Sequence, residues 1–199
     1  MAGMSGNRIW GIMGIVLLIG WLPGCAPHPR SYPRSGLEIR ERTTVALLPF
    51  DNLTDIEGAS RHVHDIFLVE LLRVEGFSVV DPGEVERLLA EERIRMVSEL
   101  SREQIQKIGA ALGVSLLIQG SILEYGIRQV QGYTTAEVPY ITVFVKMVET
   151  THGEIVWASS YSRNGNDTEV IFGFGRISSL NRLTEVMVEE IVRSLKDVS

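Results

Sequence analysis

Hydrophobic positions divide this 199-residue chain into one uninterrupted N-terminal run and a longer region with strand-like and helix-like patterns. The run covers residues 9–22 and contains neither a charged nor a strongly polar side chain. Its 14 residues are fewer than the roughly 20 that a helix needs to span a bilayer. With the basic Arg8 before it and small residues at its end, the run is typical of a secretory signal.

Five later segments have the pattern of β-strands. Residues 43–50 are apolar and β-branched without alternation, which predicts a central strand covered on both faces. The other predicted strands are residues 77–80, 114–124, 140–149 and 154–162. A turn at residues 150–153 joins the last two strands as a hairpin. Residues 125–138 are polar, contain glycines and are predicted to form a loop.

Four segments with apolar positions on one helical face are predicted to be helices. The first three carry start or stop signals, and the fourth covers about residues 179–196. The signals are Thr54 with Glu57 in capping-box spacing, Asp81 before Pro82, Ser101 with Gln104, and stops at Gly76 and Gly113. The order β-α-β-α-α-β-β-β-α after an N-terminal signal segment predicts an α/β fold, with helices packed on a mixed β-sheet.

Charge and cysteine usage restrict the classes of partner. The formal net charge is −6, and an acidic domain is a poor candidate for nucleic-acid binding, which needs clustered Lys and Arg. It is not attracted to anionic lipid surfaces either. Cys25 is the only cysteine, so no intrachain disulfide is possible.

Cys25 ends the sequence Leu22-Pro23-Gly24-Cys25, which resembles the lipobox of bacterial lipoproteins. The resemblance implies that Cys25 is acylated and becomes the first mature residue. Residues 1–24 are then a lipoprotein signal peptide and residues 25–42 a proline-containing, flexible tether. Residues 43–199 form one domain. An uncleaved anchor helix with an incidental cysteine is the alternative.

Several short motifs in the domain resemble the curli secretion channel subunit (CsgG) family. They are residues 45–52, 77–81 with 85–89, 113–122 and 153–157. The LpoB-like activators of penicillin-binding proteins and the amino-terminal domain of the TolB translocation protein are similar at this level. The resemblance implies an envelope lipoprotein with an anticodon-binding-domain-like α/β fold and no enzymatic activity. The channel subunit inserts two long hairpins into the membrane, whereas residues 125–138 have room for little more than one membrane strand. Pore formation by this chain is therefore not favoured.

No catalytic, cofactor-binding or metal-binding residue is assigned. Ser60, His62 and Asp65 are residue types found in catalytic triads, but nothing in the sequence places them in triad geometry. His62 and His64 are two residues apart on a helix and so point to different faces, which disfavours a shared metal.

The Gly-rich stretch before the last helix is the candidate recognition site. Residues 173–178 resemble a dinucleotide-binding loop in context, but the chain after them is too short for the second strand and its acidic residue. A flexible entry to the helix is one interpretation. The other is a partner contact through Phe172, Phe174 and Arg176, because aromatic residues and arginine are favoured in interface cores.

The sequence therefore predicts a non-enzymatic lipoprotein, held in the outer membrane by acyl chains on Cys25 and facing the periplasm. It is expected to bind another envelope protein in assembly or secretion. The alternatives are a subunit of an oligomeric secretion channel, which would self-associate, and an activator of penicillin-binding proteins.

Overall fold

A computed structural model describes residues 30–33, 43–130, 136–168 and 175–195. The predicted signal segment, Cys25, Phe172 and Phe174 lie outside the described residues. Within the described ranges, none of the helices combines the length and the apolar character that crossing a bilayer requires.

In the described part of the chain, one seven-stranded mixed sheet carries four helices, which confirms the predicted fold class. In chain order the elements are β1 (Arg30–Pro33), β2 (Thr43–Leu47), β3 (Asp51–Asn52), α1 (Ala59–Leu71), β4 (Phe77–Val79), α2 (Pro82–Glu91), α3 (Arg102–Leu112), β5 (Leu116–Val130), β6 (Ala136–Glu149), β7 (Glu154–Asn164) and α4 (Leu180–Leu195). The strand order is β1-β7-β6-β5-β2-β4, and β3 pairs with β5 outside this path. β2 runs parallel to β4 and β5, whereas the β1–β7–β6–β5 pairs are antiparallel.

Two hydrophobic clusters lie on opposite faces of the sheet. α1 and α4 pack on one face, where Phe67, Trp157 and Met187 are fully buried. α2 and α3 pack on the other face around Leu48 and Leu117. β2 contributes to both clusters because its successive side chains alternate between the faces. The prediction of a central strand covered on both sides is thus confirmed.

Three of the predicted helix signals act as expected. The Asp81 carboxylate accepts a hydrogen bond from the Gly83 N–H (2.9 Å) at the start of α2. Ser101 and Gln104 form a complete capping box before α3. Gly113 ends α3 with φ 64°, a left-handed conformation that glycine adopts without steric cost.

The predicted start of the first helix at Thr54 is wrong. α1 begins at Ala59, after Gly58. Thr54 instead donates hydrogen bonds to the Asn52 side chain through its backbone N–H (3.1 Å) and its hydroxyl (2.8 Å). Short polar side chains offer the backbone such local alternatives to helix formation.

The predicted loop at residues 125–138 is also wrong, because most of it is a hairpin. β5 continues to Val130, and β6 begins at Ala136. The arms are paired from Tyr125 with Ile141 to Val130 with Ala136. In the β5 arm the side chains from Ile127 to Val130 are all exposed, so this segment lacks the apolar alternation by which a half-buried strand is recognised.

Part of the expected tether is a strand on the sheet edge. β1 pairs antiparallel with β7, from Arg30 opposite Ser160 to Pro33 opposite Trp157. The side chains of Arg30, Ser31 and Tyr32 are exposed. Proline is tolerated on an edge strand, where its missing N–H costs no ladder bond.

Candidate contact surfaces

One half of the sheet has a face that no helix of the described chain covers. α2 and α3 reach β2 and β5, while α1 and α4 lie on the opposite face of β6 and β7. We define the uncovered face by the side chains of β1, β7 and β6 that point away from α4. They are Arg30, Tyr32, Ala158, Ser160, Ser162, Thr142, Phe144 and Lys146.

The uncovered face combines hydroxyl groups with two aromatic rings. The Thr142 hydroxyl donates to the Glu124 carboxylate (2.6 Å) and lies 3.0 Å from the Ser162 hydroxyl. Tyr32 is 65% exposed, and Phe144 is half-buried beside Ser160. Aromatic side chains surrounded by hydrogen-bonding groups are typical of the cores of protein interfaces.

A buried carboxylate fixes the rim of this face. Asp51 is 8% exposed and accepts hydrogen bonds from the backbone N–H groups of Val97 (3.1 Å) and Ser98 (2.8 Å). Lys146 donates to the Ser98 carbonyl at 3.3 Å. Burial lowers the pKa of Lys146, and the Asp51 carboxylate partly opposes this shift. The connection between α2 and α3 is thereby held against β6, where the uncovered face begins.

Arg176, the described member of the predicted contact stretch, lies against the start of β6. Its guanidinium donates to the Glu137 carbonyl at 2.6 Å, and its side chain is half-buried. Backbone bonds from Gly165 to Pro139 (2.8 Å) and from Ile177 to Gly165 (2.9 Å) continue this attachment. Arg176 thus holds the chain before α4 beside the β5–β6 hairpin. The predicted partner contact through Phe172, Phe174 and Arg176 stays a prediction.

A polar cluster that sequence reasoning missed joins α4 to the sheet. Arg163 on β7 is 4% exposed and donates to the Glu190 carboxylate of α4 at 2.6 Å. The same guanidinium nitrogen lies 3.2 Å from the Tyr161 hydroxyl, which donates to the other Glu190 oxygen. Burial and the Glu190 carboxylate raise the pKa of Tyr161. Sequence reasoning missed this cluster because Arg163 lies just beyond the predicted strand 154–162, whereas β7 continues to Asn164.

The structure does not bring Ser60, His62 and Asp65 together as a triad, because His62 points elsewhere. The His62 ring packs edge-on near the Tyr125 ring, with centroids 6.5 Å apart. The histidine beside Asp65 is His64, with Nδ1 at 3.5 Å from the carboxylate oxygen. Ser60, His64 and Asp65 line a cavity of about 260 Å³ at the end of β2. Across the described ranges, no three His, Cys, Asp or Glu side chains are grouped so that they could hold a metal ion.

The architecture and its motifs match one known family. The family model for the curli production assembly/transport component CsgG matches residues 35–195. The chain belongs to the CsgG family. This confirms the family indicated by the short motifs in the strands and hairpin. A search of curated proteins found no match.

Three solved structures share the fold of this CsgG-family chain. A PelC dodecamer from Paraburkholderia phytofirmans is 14% identical with a TM-score of 0.55, and the match covers 84% of this chain and 95% of that one. Lipoprotein GNA1162 from Neisseria meningitidis is 15% identical with a TM-score of 0.55, covering 78% and 99%. The hypothetical protein CT253 from Chlamydia trachomatis is 12% identical with a TM-score of 0.50, covering 78% and 97%.

Proposed function

We propose that this protein is a non-enzymatic lipoprotein of the bacterial outer membrane, anchored by acyl chains on Cys25. Its periplasmic CsgG-family domain binds another envelope protein during assembly or secretion. The family match supports an envelope role, and the lipobox-like sequence supports the anchor.

The observation that carries the binding function is the uncovered face. An antiparallel sheet often leaves one face to water, and the side chains on such a face are then mostly polar. On the uncovered face, the aromatic side chains of Phe144 and Tyr32 lie among serine and threonine side chains. The rim is held by Asp51 and Lys146, so the surface is ordered before a partner arrives. An ordered surface loses less conformational entropy on binding.

A binding role accounts for the polar clusters better than catalysis does. The Arg163–Glu190–Tyr161 cluster lies under α4 and connects two structural elements. Asp51 is occupied by two backbone N–H groups. Both clusters are engaged in holding the fold, and neither presents a free nucleophile next to a base, as covalent catalysis requires.

Self-association is the second candidate, because a structure with the same fold is a dodecamer. Self-association and binding of a different envelope protein predict different crosslinked complexes. A homo-oligomer gives crosslinks between copies of one chain and a large symmetric particle after detergent extraction. A partner complex gives crosslinks to a different envelope protein.

The test of the binding surface is in-cell crosslinking of wild-type protein and a Tyr32→Ser/Phe144→Ser variant. We expect the crosslinked complex to fall at least several-fold in the variant, with nearly unchanged melting. Leu72→Ser is the matched control, because Leu72 is 63% exposed on the other side of the molecule. An undiminished complex in the Tyr32→Ser/Phe144→Ser variant would contradict the assignment of this face. Phe174→Ala/Arg176→Ala tests the earlier candidate stretch in the same assay.

The anchor has its own test. Cys25→Ser removes the only thiol in the chain, so the domain should appear in the soluble periplasmic fraction. A processed Cys25→Ser protein that stays membrane-bound would show that acylation is not the means of attachment.

A further inference from the structure

We propose that the cavity at the end of β2 binds a small zwitterion with an apolar side group, which is the chemistry of a free amino acid. We call it the β2 cavity and define it by six of the side chains that line it: Phe50, Arg61, His64, Asp65, Leu68 and Glu86. A small-molecule site goes beyond the proposed binding of an envelope protein and does not depend on it.

The β2 cavity lies where two neighbouring parallel strands send the chain to opposite faces of the sheet. β2 is followed by α1, which packs in the hydrophobic cluster around Phe67. The adjacent β4 is followed by α2, which packs in the cluster around Leu48 on the other face. This arrangement leaves a crevice outside the carboxyl ends of the two strands, where open α/β sheets bind their ligands. Phe50 after β2 and Pro82 at the start of α2 both line the cavity, which places it in this crevice.

The volume and the apolar wall of the β2 cavity indicate a small ligand. The cavity holds about 260 Å³, slightly less than the roughly 300–1,000 Å³ of pockets that take drug-sized ligands. Phe50 is 5% exposed, and its ring packs edge-on against the rings of His64 (5.7 Å between centroids) and Phe67 (5.4 Å). The half-buried Leu68 lines the same cavity. This fixed wall can cover an apolar group of about the size of a leucine side chain.

Opposite charges lie on the two helices that border the β2 cavity. Arg61 is on α1 and Glu86 is on α2, and both side chains are exposed. Within the described ranges, neither of them is in an ion pair. A guanidinium binds a carboxylate through two parallel N–H bonds, and a carboxylate accepts hydrogen bonds from an ammonium group. A zwitterion can use both side chains, whereas a ligand of one charge would face a like charge on one helix, which is unfavourable.

A second carboxylate and a buried ring nitrogen add polar groups to the α1 side of the β2 cavity. The Asp65 side chain is 67% exposed, and its Oδ1 atom lies 3.5 Å from Nδ1 of His64. His64 is 8% exposed, and its Nε2 atom has no hydrogen-bond partner among the described residues. Buried polar atoms usually have such a partner, so His64 has hydrogen-bonding capacity that the described chain does not use. A few polar groups that converge on an apolar wall are typical of small-ligand sites.

The experiment titrates the full-length protein in detergent with small probes and measures each Kd by saturation-transfer NMR. L-Leucine carries both charges and an apolar side group. Leucinamide lacks the carboxylate, N-acetyl-leucine lacks the ammonium group, and glycine lacks the side group. We expect L-leucine to bind saturably with a Kd of about 1 mM or below. Each of the other three probes should bind at least about fivefold more weakly, because each lacks one of the groups that the cavity recognises.

Two charge variants test which side chain binds which end of the probe. Arg61→Gln should weaken the binding of L-leucine and leave that of leucinamide unchanged, because leucinamide has no carboxylate for the guanidinium. Glu86→Gln should weaken the binding of L-leucine and leave that of N-acetyl-leucine unchanged. Glu91→Gln is the matched control, because Glu91 is exposed on the same helix, pairs with Arg87 at 3.0 Å and does not line the cavity. It should leave the Kd of L-leucine unchanged.

Weaker or unsaturable binding of L-leucine would overturn the proposal. Equal binding of L-leucine and leucinamide would overturn it too, since the cavity would then recognise a cation such as a basic side chain of a partner protein. Equal binding of L-leucine and N-acetyl-leucine would indicate a carboxylate ligand instead of a zwitterion. If L-leucine binds but neither Arg61→Gln nor Glu86→Gln changes its Kd, the amino acid binds elsewhere and the assignment of the β2 cavity is wrong. None of these results bears on in-cell crosslinking through the uncovered face, so the two proposals can fail separately.

Discussion

Glu190→Ala tests whether the polar cluster under α4 holds the last helix on the sheet. The substitution removes the carboxylate that accepts hydrogen bonds from Arg163 and Tyr161. Arg163 stays in place with 4% exposure, and its Nε atom already has no hydrogen-bond partner among the described residues. A buried guanidinium is then left without its counter-charge.

The expected loss follows from this geometry. Breaking a buried ion pair by removing one partner costs roughly 3–5 kcal/mol, because the remaining charge is uncompensated. The Glu190 side chain is 27% exposed, so water can reach part of the vacated space. We therefore expect the lower end of the range, about 3 kcal/mol. For a domain of this size that corresponds to a fall in Tm of roughly 6–12 °C.

Urea unfolding of residues 26–199 measures the free energy of unfolding, with m-values compared to confirm that the same surface is exposed. Glu189→Ala is the matched control on the same helix. Glu189 pairs with Arg193 at 2.6 Å, but both side chains are more than half exposed. Such a pair contributes about 0.3–0.5 kcal/mol.

Two comparisons separate the loss of a counter-charge from the loss of helix packing. If Glu190→Ala loses no more than Glu189→Ala, the buried charge is solvated in some other way and the reasoning fails. A further variant, Arg163→Met/Glu190→Leu, should recover most of the loss, because replacing a buried pair with apolar residues is often neutral or stabilising. A double variant as unstable as Glu190→Ala would point to helix packing rather than charge.

Three further predictions concern stability. Burial and Glu190 raise the pKa of Tyr161, so the hydroxyl loses its proton at roughly pH 10 in the unfolded chain but keeps it at that pH in the folded chain. The contribution of this group to stability should therefore be full below that pH and fall above it. Tyr161→Phe should make the fall in Tm between about pH 8 and 11 shallower. In Gly120→Ala the new Cβ would lie 2.7 Å from the Phe50 ring, so the free energy of unfolding measured in urea should fall by about 1–3 kcal/mol. Adding Phe50→Leu should restore part of this loss. An unchanged unfolding midpoint in Gly120→Ala would show that the ring can move aside. Deleting residues 1–42 should leave a cooperative thermal transition with a slightly lower Tm, since the described side chains of β1 are exposed, and loss of the transition would mean that the leader is part of the fold.

The sequence by itself determined the features that depend on neighbours along the chain. Ser101 and Gln104 are three residues apart, so their capping box could be recognised without knowing the fold. The apolar run of β2 indicated a strand covered on both faces for the same reason. The motifs that identified the CsgG family are short segments of this kind, and the match over residues 35–195 confirms them.

The tertiary structure decided the features that depend on residues far apart in sequence. β1 is a strand because the edge of β7 offers it backbone partners about 125 residues away, and no pattern within Arg30–Pro33 announces this. The outer β5 arm has no apolar alternation because its side chains from Ile127 to Val130 are all exposed, so the ladder of backbone bonds to β6 is what makes it a strand. Arg163 and Glu190 become partners only when α4 packs on β7. Local signals act through short-range sterics and capping, whereas pairing partners, uncovered faces and buried charges are fixed only when distant segments pack together.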